Sequence, residues 1–257
     1  MDPALRPIVV FDSGYGGLSV LKELTRALPG EDFVFFGDSA NAPYGPRTTE
    51  QIRRLTMDNL AALDREFSFK AAVIACNTAT SAAIEDLRAR YAPRPIIGIE
   101  PALKLAADRH PGGRILVLAT QTTLREEKFA QLAAHVGRGC TVYTRACPEL
   151  VEFVERMELD GPRVEAYLAD LLAAYPAGLD AIVLGCTHFP FVAPTLARLA
   201  GPDTELLDGA AGTARQTRRR LFEQGLLRPT PSGRLIFRSS SADPQVLARA
   251  RTLFETP

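Results

Sequence analysis

Two cysteines, Cys76 and Cys186, stand 110 residues apart in segments that read almost alike, Ala72-Val73-Ile74-Ala75-Cys76-Asn77-Thr78 and Ala181-Ile182-Val183-Leu184-Gly185-Cys186-Thr187. Each ends an apolar run of strand length and is followed within two residues by a threonine, as where a buried parallel strand delivers side chains to the rim of a sheet. Catalytic groups in open α/β sheets collect beyond the carboxyl ends of strands. A matched pair of thiols there suggests one task for two acid–base groups, proton transfer on opposite faces of one carbon. Free cysteine titrates near ~8.5, and a helix amino terminus or a cationic neighbour lowers this, so either thiol could serve as a base. Both segments are read as running into a helix. Taken singly, a cysteine after an apolar run is more often a small buried hydrophobe. The pairing, with polar residues after each, favours function. Cys140 and Cys147 lack that setting and read as structural.

Two further loops could meet a ligand. Asp12-Ser13-Gly14-Tyr15-Gly16-Gly17-Leu18-Ser19 follows a strand and opens a helical pattern, where backbone amides and the helix dipole suit a carboxylate or phosphate. Gly14, Gly16 and Ser19, with Asp38 at the end of the next strand, approach the dinucleotide fingerprint and carry a competing reading as a nicotinamide-dependent oxidoreductase. Against it, Ser19 stands in place of the third glycine, and Asp12-Ser13 are polar groups that a pyrophosphate site does not require. The next loop, Gly37 to Arg47, offers the Tyr44 hydroxyl and neighbouring amides to a small polar ligand. Its plainer reading is a turn-rich connection with a packed tyrosine.

These loops need a scaffold. Strand-like runs at Ile8–Phe11, Phe33–Phe36, Ala71–Ala75, Pro95–Gly98, Arg114–Leu118, Thr141–Thr144, Asp180–Leu184 and Thr204–Leu207 alternate with helical patterns. That rhythm predicts an α/β fold of mostly parallel sheet with helices on both faces. Thr48-Thr49-Glu50-Gln51 is a capping box ahead of a helix, and Asp160-Gly161-Pro162 separates helices near Glu149–Glu158 and Arg163–Tyr175. The length of 257 residues suits two modest domains. The expected division is 1–98 plus 209–257, closed by a late strand at Arg234–Arg238 and a helix after Pro244, against 99–208.

Thirty basic residues balance thirty acidic ones, so the electrostatic footprint of a nucleic-acid binder is missing. Arg218-Arg219-Arg220 falls in an expected helix, Thr213 to Gln224, and reads as a solvated face. There is neither a signal-peptide pattern nor an apolar run of membrane-spanning length, and the expectation is a cytoplasmic chain with no membrane role, whose cysteines are thiols. With no zinc-hairpin spacing among the cysteines, scattered histidines and no pyridoxal lysine motif evident, neither metal nor cofactor is expected.

Asp12 to Gly17, Pro43-Tyr44-Gly45, Ala75-Cys76-Asn77-Thr78-Ala79 and Gly185-Cys186-Thr187-His188-Phe189-Pro190 together resemble the successive motifs of glutamate racemase, among the cofactor-independent amino-acid racemases. The resemblance runs in order from Ile8 to at least Asp208. It implies two pseudo-symmetric α/β domains with the active site in the cleft between them, a small-molecule substrate, L- or D-glutamate, and a homodimer. It also implies that Cys76 takes the α-proton of D-glutamate, assisted by Asp12. Cys186 takes that of the L-enantiomer, assisted by His188 and a helix glutamate. That glutamate falls on Glu155 when Cys147-Pro148 is aligned, and Glu152, where the family usually has proline, is the other candidate. Substrate contacts carried over are Asp12, Ser13, Tyr44, Gly45, Asn77, Thr78, Thr187 and His188, with Thr120 and Thr123 as a looser match. The implied role is D-glutamate supply for bacterial cell-wall peptide. A racemase of aspartate or another small acid is the nearby alternative. A protein-binding regulator, like the gyrase inhibitors among some family members, is the alternative of another class.

Overall fold

The computed structural model describes residues 2–256, the Lys128 side chain apart. In chain order the elements are β1 Ile8–Asp12, α1 Leu18–Ala27, β2 Phe33–Gly37, α2 Thr49–Phe67, β3 Ala71–Ile74, α3 Asn77–Tyr91 and β4 Ile96–Gly98. There follow α4 Leu103–Arg109, β5 Arg114–Ala119, α5 Gln121–Arg125, α6 Glu127–Val136, β6 Thr141–Ala146, α7 Pro148–Glu155, α8 Pro162–Ala173, β7 Ala181–Leu184, α9 Ala193–Ala200 and β8 Glu205–Asp208. The chain closes with α10 Ala210–Glu223, β9 Leu235–Ser239 and α11 Pro244–Glu255.

It divides into two units, Met1–Glu100 with Ala210–Pro257, and Pro101–Gly209, each crossing within two residues of the expected boundaries after Gly98 and Asp208. Among the described residues every strand pair is parallel. The first unit's sheet runs β4-β3-β1-β2-β9 and the second's β6-β5-β7-β8. Replacing each of β1 to β4 by the strand four later converts β4-β3-β1-β2 into β8-β7-β5-β6, the second sheet read from its other edge. Both units therefore wind in one topology, and β3 and β7, the strands that lead to Cys76 and Cys186, hold equivalent places.

The strands lack alternation because both faces are covered. Leu116 and Leu118 of β5 join a core with α7, α8 and α9 residues, while Ile115 and Val117 join one with α4 and α6 residues. In the first unit, Val9 and Phe11 of β1 pack with Ile52, Leu60, Ala83 and Leu87 from α2 and α3. The capping box forms as expected: the Thr48 hydroxyl accepts from the Gln51 amide, and the Gln51 side chain accepts from the Thr48 amide. The break before α8 is a glycine with φ of 93° at Gly161, a conformation that costs other residues strain. The helix carrying the three arginines starts at Ala210 rather than Thr213, and all three are exposed on it. Among the described residues, no helix is long and apolar enough to cross a membrane.

Candidate active site

Side chains at the carboxyl ends of the strands form one constellation in each unit. In the first, β1 ends in Asp12, fully buried, whose Oδ1 accepts the Gly14 amide at 2.8 Å. Gly17 permits this turn: a Cβ there would stand 2.6 Å from the Asp12 Cβ. Beyond β3, Cys76 is the N-cap of α3, its sulfur accepting the Ala79 amide at 3.4 Å and its thiol donating toward the Ser13 hydroxyl at 3.5 Å. A helix amino terminus thus faces the sulfur, as the sequence predicts, and favours a negative charge there. Asn77 and Thr78 follow in the first turn, both buried. The Asn77 Oδ1 is buried with no hydrogen-bond partner.

In the loop after β2 the tyrosine is packed into the core, as the plainer sequence reading has it, and its hydroxyl is turned to a carboxylate of the same loop. Tyr44 is 1% exposed, and its hydroxyl donates to Asp38 Oδ2 at 2.6 Å. Burial first, and the bond to Asp38 second, raise its pKa far above that of an ordinary phenol. Asp12 and Cys76 are close enough to contribute to the same shift, so Tyr44 belongs with them, and Gly45 follows it on the loop. Asp38 does not present the open carboxylate that a ribose site would need, since it is fully buried and its other oxygen accepts from Asn41 at 3.0 Å.

In the second unit Cys186 departs from the expected helix start. Residues 186–188 form a turn, Phe189–Val192 a 3-10 segment, and α9 begins only at Ala193. Pro190 and Pro194 explain this. Neither has an amide to donate, so a helix running on from Cys186 would lose two backbone bonds, whereas proline is tolerated in a first turn. What faces the Cys186 sulfur is an imidazole: His188 Nδ1 lies 3.7 Å away, and His188 Nε2 is 2.7 Å from Glu155 Oε1 at the end of α7. Burial alone would lower the His188 pKa, but its bonds to Cys186 and Glu155 together carry it well above 6.5. Glu152 turns instead to solvent and pairs with Arg156 at 3.3 Å. Thr187 is buried beside Cys186. At the end of β5, the Thr120 hydroxyl caps α5 by accepting the Thr123 amide at 3.2 Å, and the two hydroxyls lie 3.0 Å apart.

Cys147 also lies between a strand and a helix, so the reading that it lacks such a setting is corrected. It is fully buried among apolar side chains, and that burial above all pushes its thiol up to about 12. Such a group stays protonated at neutral pH. Sequence reasoning missed Asp38 as a partner of Tyr44; the signal available was an acid at a strand end with a tyrosine on the loop that follows.

The family model for "Asp/Glu/Hydantoin racemase" matches residues 8–217. A glutamate racemase of Clostridium botulinum is 43% identical over 258 residues, covering 100% of both chains. The crystal structure of glutamate racemase from Thermus thermophilus in complex with β-chloro-D-alanine is 34% identical, with a TM-score of 0.81 over 99% of this chain and 95% of that one. The Escherichia coli glutamate racemase, solved with L-glutamate and the activator UDP-MurNAc-Ala, is 28% identical, with a TM-score of 0.86 over 96% of this chain and 95% of that one.

Proposed function

Since the chain belongs to the Asp/Glu/hydantoin racemase family and is an amino-acid racemase of the glutamate racemase kind, we propose that it interconverts L- and D-glutamate by cofactor-independent proton transfer between Cys76, Cys186 and the α-carbon. The observation that carries this reading is the pair of thiols beyond equivalent strands, Cys76 held by the Ala79 amide and the Ser13 hydroxyl and Cys186 by the His188 imidazole.

The α-proton beside an ionised carboxylate is very weakly acidic, so removal needs a base in place and donors for the charge that develops on the carboxylate oxygens. From D-glutamate, the Cys76 thiolate takes the proton and the Cys186 thiol returns one to the opposite face; from L-glutamate the roles reverse. Asp12 assists on the first side. On the second, a protonated His188 offers its charge to a Cys186 thiolate, and Glu155 fixes the ring and its charge. The unpartnered Asn77 Oδ1 suits a donor, which the substrate ammonium supplies. Amides near Ser13, Asn77 and Thr187 are the donors for the carboxylates, and Thr120 and Thr123 add hydroxyls.

By extension the enzyme is cytoplasmic and homodimeric and supplies D-glutamate for cell-wall peptide. Light scattering tests the dimer, and rescue of a D-glutamate-requiring strain tests the role. The reaction is tested by proton NMR and circular dichroism of metal-chelated protein with each enantiomer in heavy water. Loss of optical activity with deuterium entering the α-position from both sides supports two-base racemisation. Unchanged glutamate, with folded protein and reduced thiols, would overturn it. Faster turnover of aspartate would reassign the substrate.

A further inference from the structure

Asp38 makes no contact that the racemase reading requires, yet it is fully buried and joins two members of the first constellation. Its amide donates to the Asp12 carbonyl at 2.9 Å, and its carbonyl accepts the Asn41 amide at 2.9 Å. Its carboxylate accepts from the Tyr44 hydroxyl at 2.6 Å and from the Asn41 side chain at 3.0 Å. Arg47 closes the loop from its far end, Nε donating to the Asn41 carbonyl at 2.9 Å and its amide to the Tyr44 carbonyl at 3.0 Å. The loop that presents Tyr44 and Gly45 is thus tied at both ends, and its inner tie is a charge-assisted hydrogen bond, the stronger kind.

We propose that Asp38 is a positioning residue for the reaction: by taking the one phenolic proton of Tyr44, it holds the Tyr44-Gly45 loop in its binding geometry and leaves the Tyr44 oxygen able only to accept. An ionised carboxylate accepts only, and a phenol has a single proton, so that proton is committed. Whatever meets the Tyr44 oxygen from the substrate side must therefore donate to it, which a carboxylate cannot do. The loop is held before substrate arrives, which lowers the ordering cost of binding. Asp38 therefore acts on KM, and it acts through Tyr44.

This inference rests on the racemase reading, and the experiment separates the two. Racemisation of both enantiomers is measured for wild type, Asp38→Ala, Asp38→Asn, Tyr44→Phe and the double variant Asp38→Ala/Tyr44→Phe, with circular dichroism and melting temperature for each. The expected result is a KM raised about tenfold in Asp38→Ala with kcat changed far less, and no further rise when Tyr44→Phe is added, a coupling typical of contacting side chains. Asp38→Asn, whose amide oxygen can still accept the phenolic proton, recovers most of the loss. Additive effects, or an unchanged KM in Asp38→Ala, overturn the proposal while wild-type activity leaves the racemase reading standing. Should Asp38→Ala fail to fold, Tyr44→Phe alone decides, since an unchanged KM there removes the role assigned to the bond. A wild-type chain that racemises no glutamate removes both.

Discussion

At the scale of single residues, the two thiols sit in different electrostatic settings although their strands are equivalent. Cys76 faces backbone amides and Cys186 a buried imidazole. Cys76→Ser and Cys186→Ser should each lower racemisation by ~10²–10⁴-fold or more, because a serine hydroxyl is a poor acid–base group at neutral pH. The remaining cysteine should still remove a proton from one side. On an analogue with a leaving group at Cβ, Cys186→Ser should eliminate from the D-enantiomer and Cys76→Ser from the L-enantiomer, read as keto acid formed. Full racemase activity in either variant would end the two-base account. Because enantiomers have equal energy, kcat/KM must fall equally from both sides, and asymmetry can appear only in kcat and KM taken separately. His188 has a further signature, since its folded pKa is raised. Its stabilising contribution is fully present below its unfolded value of about 6.5 and is lost as pH rises through the folded one. The melting-temperature advantage of wild type over His188→Asn should therefore shrink toward alkaline pH; an advantage that grows would refute the ion-pair assignment. Much of this constellation is legible in sequence because its members lie in short contiguous motifs. Glu155 and Glu152 are not separable there, being three residues apart on one helix; only the fold turns Glu155 onto His188 and Glu152 onto Arg156.

At the scale of elements, what positions the chemistry is the turn after each strand. Gly17 shows how little room that turn leaves. Its φ of −61° suits any residue, so space alone forbids a side chain, with the Asp12 Cβ at 2.6 Å and the Ala75 Cβ at 3.0 Å from an added Cβ. Gly17→Ala should push Asp12 and Ala75 apart and cost ~1–3 kcal/mol by overpacking. Gly139→Ala, where nothing stands within 4 Å, should stay within about ±0.5 kcal/mol. Urea unfolding of the two variants checks this, and equal costs would show that the turn relaxes. Activity should separate them too, because Asp12 is the group displaced. The strands themselves are legible from apolar runs, with ends shifted by a residue or two. The helix expected directly after Cys186 is not there because two prolines outweigh the apolar periodicity, and the common strand order of the units depends on pairings that no local pattern encodes.

At the scale of the whole chain, the return of residues 210–257 to the first unit is secured by two buried acids, Glu31 and Asp32. Lys70, just before β3, is fully buried and donates to Glu31 and to the Ala4 carbonyl, the latter at 2.7 Å. Glu31 also accepts the Arg228 amide at 2.8 Å, while Asp32 accepts from the Arg228 guanidinium at 2.7 Å and from the Arg234 amide and guanidinium, each at 2.9 Å. Acid and base stand up to 202 residues apart in sequence, so no spacing rule could have paired them. Buried pairs are costly to assemble and costlier to break, because removing one partner strands the other's charge. Lys70→Met should therefore destabilise by about 3–5 kcal/mol. Adding Glu31→Gln, whose amide oxygen can still accept from Arg228, should restore a large part of that, as measured by urea unfolding. Equal instability of the single and double variants would assign the cost to the lost Ala4 contact and not to the stranded carboxylate. Asp32 gives the same network a pH signature. Burial raises its pKa, but the bonds from Arg234 outweigh this and hold it below the usual carboxylate range. Its contribution is present above an unfolded value of about 3.9 and is lost as pH falls through the folded one. Asp32→Asn should consequently lower stability at neutral pH and flatten the acid limb of the melting-temperature profile. An acid limb as steep as that of wild type would place the acid sensitivity elsewhere in the chain.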